Sequence, residues 1–61
     1  MTGKAAIHHV AGLRLREVLR TYHDTTDATV RLVCEWRLSE CGAFEKICRL
    51  VGAKILRYRS P

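Results

Sequence analysis

The sequence has almost no proline and no long apolar run. Its only proline is Pro61, and no low-complexity stretch, internal repeat or linker divides the chain. No segment approaches the about 20 apolar residues that cross a bilayer, and the first residues lack the pattern of a signal peptide. We therefore expect a single small domain over residues 1–61, located in the cytoplasm, with no membrane partner.

Catalytic and cofactor-binding motifs are also missing. The four glycines form no phosphate-binding loop. The adjacent residues His23 and Asp24 are of the types found in catalytic sites, but no serine, cysteine or threonine lies in a recognisable nucleophile-elbow motif. His8 and His9 are adjacent, so on a helix their side chains would diverge and not share a metal ion. We expect a protein that is not an enzyme and binds no cofactor or metal.

Cysteine occurs only at Cys34, Cys41 and Cys48, and the odd number favours a reducing compartment over a disulfide scaffold. Seven residues of one helix span about 10.5 Å, whereas the Cα atoms of a disulfide lie about 4.4–6.8 Å apart. On one helix, Cys41 and Cys48 could therefore neither pair nor share a tetrahedral zinc ion. We expect all three to be free cysteines of the hydrophobic core.

Positive charge is what the chain has in excess. Hydrophobic residues make up 48% of the chain and charged residues 28%, and eleven lysines and arginines against six acids give a net charge of +5. A chain of 61 residues buries only about 60% of its unfolded surface, so its core stabilises it weakly. Arginine, which outnumbers lysine, binds phosphate and carboxylate through paired hydrogen bonds. The composition therefore favours an anionic partner.

The clearest pattern lies in residues 29–38, where apolar and polar side chains alternate. The apolar positions are Val30, Leu32, Cys34, Trp36 and Leu38. A period of two is typical of a β-strand with one buried face. As a helix, the same stretch would put Arg37 on the apolar stripe and leave Leu32 and Trp36 off it. We therefore predict a strand here.

The most regular helix is predicted over residues 40–51. Ser39 is a suitable N-cap, and Gly52 occupies the position where a glycine commonly ends a helix. One face of this helix collects the apolar residues Phe44, Ile47, Cys48 and Val51. Residues 54–59 follow as a last predicted strand.

The N-terminal third allows two interpretations. One is a single helix over residues 4–20 with Gly12 as its weak point, at a cost of about 1 kcal/mol relative to alanine. The other is a helix that ends at Gly12, followed by a strand over residues 13–22. The polar residues 23–27 then form either a hairpin loop or the N-cap of a helix that begins near Asp27.

Together these elements predict an α+β fold. It has a small antiparallel sheet of about three strands, with the helix at 40–51 packed on one face and an N-terminal helix as an optional addition. The alternative is an all-α three-helix domain, which holds if residues 28–41 are helical.

In the all-α alternative, part of the chain resembles the first helix and turn of the helix-turn-helix family. The resemblance rests on Gly42, on Ile47-Cys48 and on residues 51–53. It implies duplex DNA as the partner, with contacts from Lys54, Arg57 and Arg59. The recognition helix of that family would have to lie within residues 54–59.

In the α+β fold, arginines collect on the sheet face that the helix leaves open. This basic face consists of Arg31, Arg37, Arg57 and Arg59, and Arg14, Arg16, Arg20 and Tyr22 join it if residues 13–22 form a strand. Arginines on a rigid support bind a phosphate backbone, and a tyrosine can stack on a base. The leading expectation is therefore nucleic-acid binding.

Two other interpretations use the same composition. In the first, the basic face docks on a larger acidic protein that this chain regulates or inhibits, as small proteins of phages and mobile elements often do. In the second, two copies form a homodimer by pairing edge strands to complete their core.

Overall fold

The chain folds into four helices in the computed structural model, which describes residues 1–56. They are α1 (Gly3–Ala11), α2 (Leu15–Asp24), α3 (Ala28–Leu38) and α4 (Ala43–Val51). No strand occurs within residues 1–56. The α+β prediction is therefore wrong, and the described part of the chain agrees with the all-α alternative, with four helices in place of three.

The stretch with alternating apolar residues is helical because it also contains a helical stripe. Val30, Val33 and Cys34 lie at positions i, i+3 and i+4 and are buried. Leu32 remains 45% exposed, and Trp36 is half-buried. The period of two therefore arose because α3 carries apolar residues on its outer side as well as on its buried side.

Asp27 is the N-cap of α3, which confirms the helical interpretation of the polar turn. Its Oδ1 accepts hydrogen bonds from the backbone N–H of Thr29 at 2.9 Å and of Val30 at 3.3 Å. Its Oδ2 lies 3.1 Å from the amino group of Met1. The bond from this amino group, followed by the two backbone bonds, lowers the pKa of Asp27. The same carboxylate thus starts α3 and holds the N-terminus beside it.

The N-terminal third breaks at Gly12, but no strand follows. The backbone N–H of Gly12 donates to the carbonyl of His9 at 3.3 Å, which ends α1. The backbone N–H of Arg14 donates to Glu17 Oε1 at 3.2 Å, and a carboxylate in the first turn also favours the helix dipole. Residues 15–22 therefore lie in α2, so both the strand over 13–22 and the single helix over 4–20 are wrong.

The predicted helix at 40–51 exists as α4, although it begins later than expected because Ser39 instead ends α3. Gly42 precedes α4 with φ 75° and Gly52 ends it with φ 74°, the left-handed conformation that glycine adopts at low cost. Residues 53–56 contain neither a strand nor a helix. The described part of the last predicted strand is therefore wrong, and no recognition helix begins there; Arg57 and Arg59 lie outside the described residues.

The core gathers around α3, which packs against α1, α2 and α4. Its buried members are Ala6, Ile7, Val10, Ala11, Val18, Val30, Val33, Cys34, Phe44 and Cys48. Most of these side chains are small. The leucines lie elsewhere: Leu13 is partly buried, and the exposed ones are Leu15, Leu19, Leu32, Leu38, Leu50 and Leu56. The core is thus built from small side chains, while most of the larger aliphatic ones face solvent.

Replacing Asp27 by alanine should destabilise the fold, because it leaves the first N–H groups of α3 without their acceptor. We expect the melting temperature to fall by about 4–8 °C. Because the pKa of Asp27 is lower in the folded than in the unfolded chain, its contribution is present at neutral pH. It is lost as the pH falls through the folded-state pKa. Melting followed by circular dichroism across an acid pH series measures both effects.

Two further variants make this test specific. Asp27→Asn keeps a side-chain oxygen acceptor but loses the charge, so it should melt between the wild type and Asp27→Ala and lack this group's acid dependence. Asp24→Ala removes an exposed acid at the end of α2 and should change the melting temperature little. Equal melting of Asp27→Ala and the wild type would contradict the capping role.

Candidate partner-binding surface

Within residues 1–56 there is no sheet face on which the residues of the predicted basic face could collect. Those within the described residues divide between two helices. The residues on α2 or at its start are Arg14, Arg16, Arg20 and Tyr22, and those on α3 are Arg31 and Arg37. Arg57 and Arg59 lie outside residues 1–56. What each described side chain can do depends on its own contacts.

Arg37 bonds inside the fold. Its Nη2 donates to the carbonyl oxygen of Leu56 at 2.6 Å, and its guanidinium carbon lies 5.9 Å from the centre of the Phe44 ring. Burial lowers the pKa of Arg37, against the opposing effects of Cys48 and Glu45. Its Nε is buried with no hydrogen-bond partner in the described part of the chain. Arg37 therefore ties the segment after α4 to α3.

Tyr22 and Arg31 are also engaged within the chain. The hydroxyl of Tyr22 donates to Glu35 Oε1 at 3.2 Å, and the guanidinium of Arg31 lies 5.9 Å from the centre of the tyrosine ring. Arg31 Nη2 donates to the carbonyl of Thr25 at 2.9 Å. These contacts join the end of α2 to α3, and they place a cation where a base would stack.

Arg16 and Arg20 remain as exposed cations with no side-chain bond among residues 1–56. They are four residues apart and lie on the same side of α2. Beside them on the same helix, Leu15 is 37% exposed and Leu19 is 49% exposed. We call these four residues the α2 surface. Its leucines were not predicted as surface residues, because a strand over residues 13–22 would have pointed them into the core.

The cysteines separate into two kinds. Cys34 and Cys48 are buried, whereas Cys41 is exposed on the turn between α3 and α4, so a core position was the wrong expectation for Cys41. Burial raises the pKa of Cys34 and, against the opposing effect of Arg37, that of Cys48. The Sγ of Cys41 lies 2.9 Å from Ser39 Oγ. This bond, followed by one from the Ala43 backbone, lowers the pKa of Cys41.

Other kinds of site find little support. No group of three or more potential metal ligands comes together within residues 1–56. Among the described helices, none has the length and apolarity to cross a membrane. A pocket of about 320 Å³ is lined by Arg37, Ser39, Glu40, Gly42, Phe44, Glu45 and Ile55. Its two acids and one arginine favour neither sign of ligand, so the α2 surface is the stronger candidate.

Comparison with known proteins returns no relative. No protein-family model matches the chain, and no curated protein or solved structure matches it. Its function is therefore argued from its own surface.

Cys41 should be the reactive thiol of the folded protein, because it is exposed and its pKa is lowered. We expect it to react rapidly with a thiol reagent near neutral pH, while Cys34 and Cys48 react only when the chain unfolds. Ser39→Ala should move the pH profile of this reaction to higher pH. Mass spectrometry of the alkylated protein identifies the modified residue, and fast labelling of Cys34 in the native state would contradict the assignment.

Arg37→Ala should destabilise the protein by about 1–3 kcal/mol, since it removes a charged hydrogen bond from a half-buried site. The matched control is Arg49→Ala on the exposed side of α4, which should change the free energy of unfolding by no more than about 0.5 kcal/mol. Urea unfolding measures both. Equal stability of the two variants would show that Arg37 does not hold the segment at Leu56.

Proposed function

We propose that this chain is a small, non-catalytic binding protein that docks on an acidic surface of a larger protein through α2. The observation that supports this is the α2 surface, where exposed leucines lie beside arginines that have no partner within residues 1–56. A protein surface uses both kinds of side chain. Apolar contact supplies affinity, and charge supplies orientation and association rate.

Nucleic-acid binding, the leading expectation from the sequence, is the weaker candidate. Its main support is the net charge of +5. A phosphate backbone would gain nothing from Leu15 and Leu19, because it presents oxygen atoms and no apolar groups. Tyr22 and Arg31 already use their ring and guanidinium on each other, and Arg37 binds Leu56. Of the six described residues expected to bind nucleic acid, three are therefore already engaged within the fold.

A partner that covers the leucines would also stabilise this small fold. Burial of apolar surface contributes about 25 cal/mol per Å², and a chain of 61 residues has little of it inside. Such stabilisation by the partner fits a regulatory or inhibitory protein that acts while it is bound to its target. A cytoplasmic location is part of the proposal, because free thiols persist in a reducing compartment. A homodimer through edge strands has no strand to use within residues 1–56.

Charge reversal on α2 tests the proposal. The variant R16E/R20E should keep its fold, because arginine and glutamate have similar helix propensity and both positions are exposed. It should bind the partner about tenfold more weakly or worse, since attraction becomes repulsion. The control K4E/K46E changes the net charge equally, at exposed positions on α1 and α4, and should bind as the wild type does.

Capture from a nuclease-treated lysate of the encoding organism, followed by mass spectrometry, would identify proteins held by the wild type and the control but not by R16E/R20E. Binding to duplex DNA and to RNA is measured in parallel by fluorescence anisotropy over a salt series. Tight binding with a slope of about −0.9 per phosphate contact, lost in R16E/R20E, would favour nucleic acid and overturn the proposal.

A further inference from the structure

The α2 surface continues onto α3. Helices α2 and α3 pack against each other and are joined by the Tyr22–Glu35 bond. Only residues 25–27 connect them, and a connection this short favours opposite directions for the two helices. Leu19 and Leu15 precede Tyr22 by about one and two turns on the same side of α2, and Leu38 follows Glu35 by about one turn on α3. Counted from the Tyr22–Glu35 bond, Leu38, 37% exposed, therefore lies near the level of Leu19. We call Leu15, Leu19 and Leu38 the leucine patch.

The charges around the patch are of one sign on the α2 side. At about 100° of rotation per residue, Arg16 borders the patch, and Arg20 lies beyond Arg16, about 100° from Leu19 and about 40° from Asp24. Glu17 and Asp24 lie on the far side of the helix, and the Glu17 carboxylate already accepts the Arg14 N–H. On α3, Glu35 is bonded to Tyr22. A partner seated on the patch would thus meet positive charge along one edge, from arginines that have no side-chain partner within residues 1–56.

From this arrangement we propose that the leucine patch takes one amphipathic helix of an acidic partner protein. This rests on the proposed function and specifies how the partner binds. Leu15 and Leu19 are separated by about 6 Å along the helix axis, the interval between apolar residues at i and i+4 of a facing helix. Acidic residues on the flank of that helix would face Arg16 and Arg20. An added strand has no sheet edge to extend within residues 1–56.

Two other occupants fit the observations less well. A second copy of the chain would bring its own Arg16 and Arg20 against the same residues, which costs free energy through like-charge repulsion. A membrane surface would require a broad apolar face of α2, but Val18 is fully buried and Tyr22 is half-buried. Only the flank that carries Leu15 and Leu19 remains for lipid.

The test uses a labelled synthetic peptide, with leucines at helical i, i+3 and i+4 spacing and glutamates on one flank. Its control is a scrambled peptide of the same composition. Fluorescence anisotropy should show that the full-length chain binds the patterned peptide at least about tenfold more tightly than the scrambled one. L15A/L19A and R16E/R20E should each weaken binding about tenfold. L50A, which changes a leucine on α4 that is 86% exposed, should leave it unchanged.

If L15A/L19A fails to give a wild-type circular dichroism spectrum, L19A alone replaces it, since Leu19 is the more exposed of the two. Equal binding of the patterned and scrambled peptides, no binding of either, or an equal loss in L50A would overturn the helix-docking inference. The proposed function would still stand if capture depended on Arg16 and Arg20. If capture did not depend on Arg16 and Arg20 either, the helix-docking inference and the proposed function would both be overturned.

The same variants distinguish the other occupants. Phosphatidylserine-containing vesicles that bind more tightly than the peptide, with binding lost in L15A/L19A, would assign the patch to a membrane surface. A dimer in sedimentation that L15A/L19A dissociates would assign it to a second copy. Either result would overturn the inference.

Discussion

Burial of one stripe of α3 against three neighbouring helices is the constraint on which the rest of the structure depends. Val30, Val33 and Cys34 form that stripe, and Arg37 continues it one turn later. A charged residue in this position needs a partner for its polar end. Arg37 finds one in the carbonyl of Leu56 and lies over Phe44, while its long stem packs at the edge of the core. Arg37, whose place on the apolar stripe favoured the strand prediction, therefore helps to hold the helices together.

A core built mainly from alanine, valine and cysteine lets the helices pack within a short chain, and it leaves the leucines outside. Of the described leucines, all but Leu13 are exposed, from 37% in Leu15 and Leu38 to 86% in Leu50. Single exposed leucines are common and carry no meaning. Leu15 and Leu19 differ because they lie one turn apart, next to Arg16 and Arg20 and near Leu38. Their arrangement, and not their exposure alone, supports a docking surface for an acidic protein.

Some features could be predicted from local chemistry. Asp27 as an N-cap, Gly52 as the end of α4 and the break at Gly12 each depend on bonds or backbone angles within a few residues. The contacts of the arginines could not be predicted in this way. Whether Arg37 meets solvent or the Leu56 carbonyl depends on residues far apart in the chain. The candidate surface was therefore predicted in part, through Arg16 and Arg20, and its leucines were missed.

The sequence by itself determined the charge, the helix ends at Gly12, Asp27 and Gly52, and the absence of known catalytic motifs, because these follow from composition and short-range bonding. Tertiary structure decided between strand and helix for residues 29–38. Their apolar residues satisfy a period of two as well as a helical stripe, and only packing against α1, α2 and α4 selects which of them are buried. That choice also turned Arg37 inward and left Leu15 and Leu19 beside Arg16 and Arg20, which have no side-chain partner within residues 1–56. The surface on which the proposed function depends is thus a product of packing between helices.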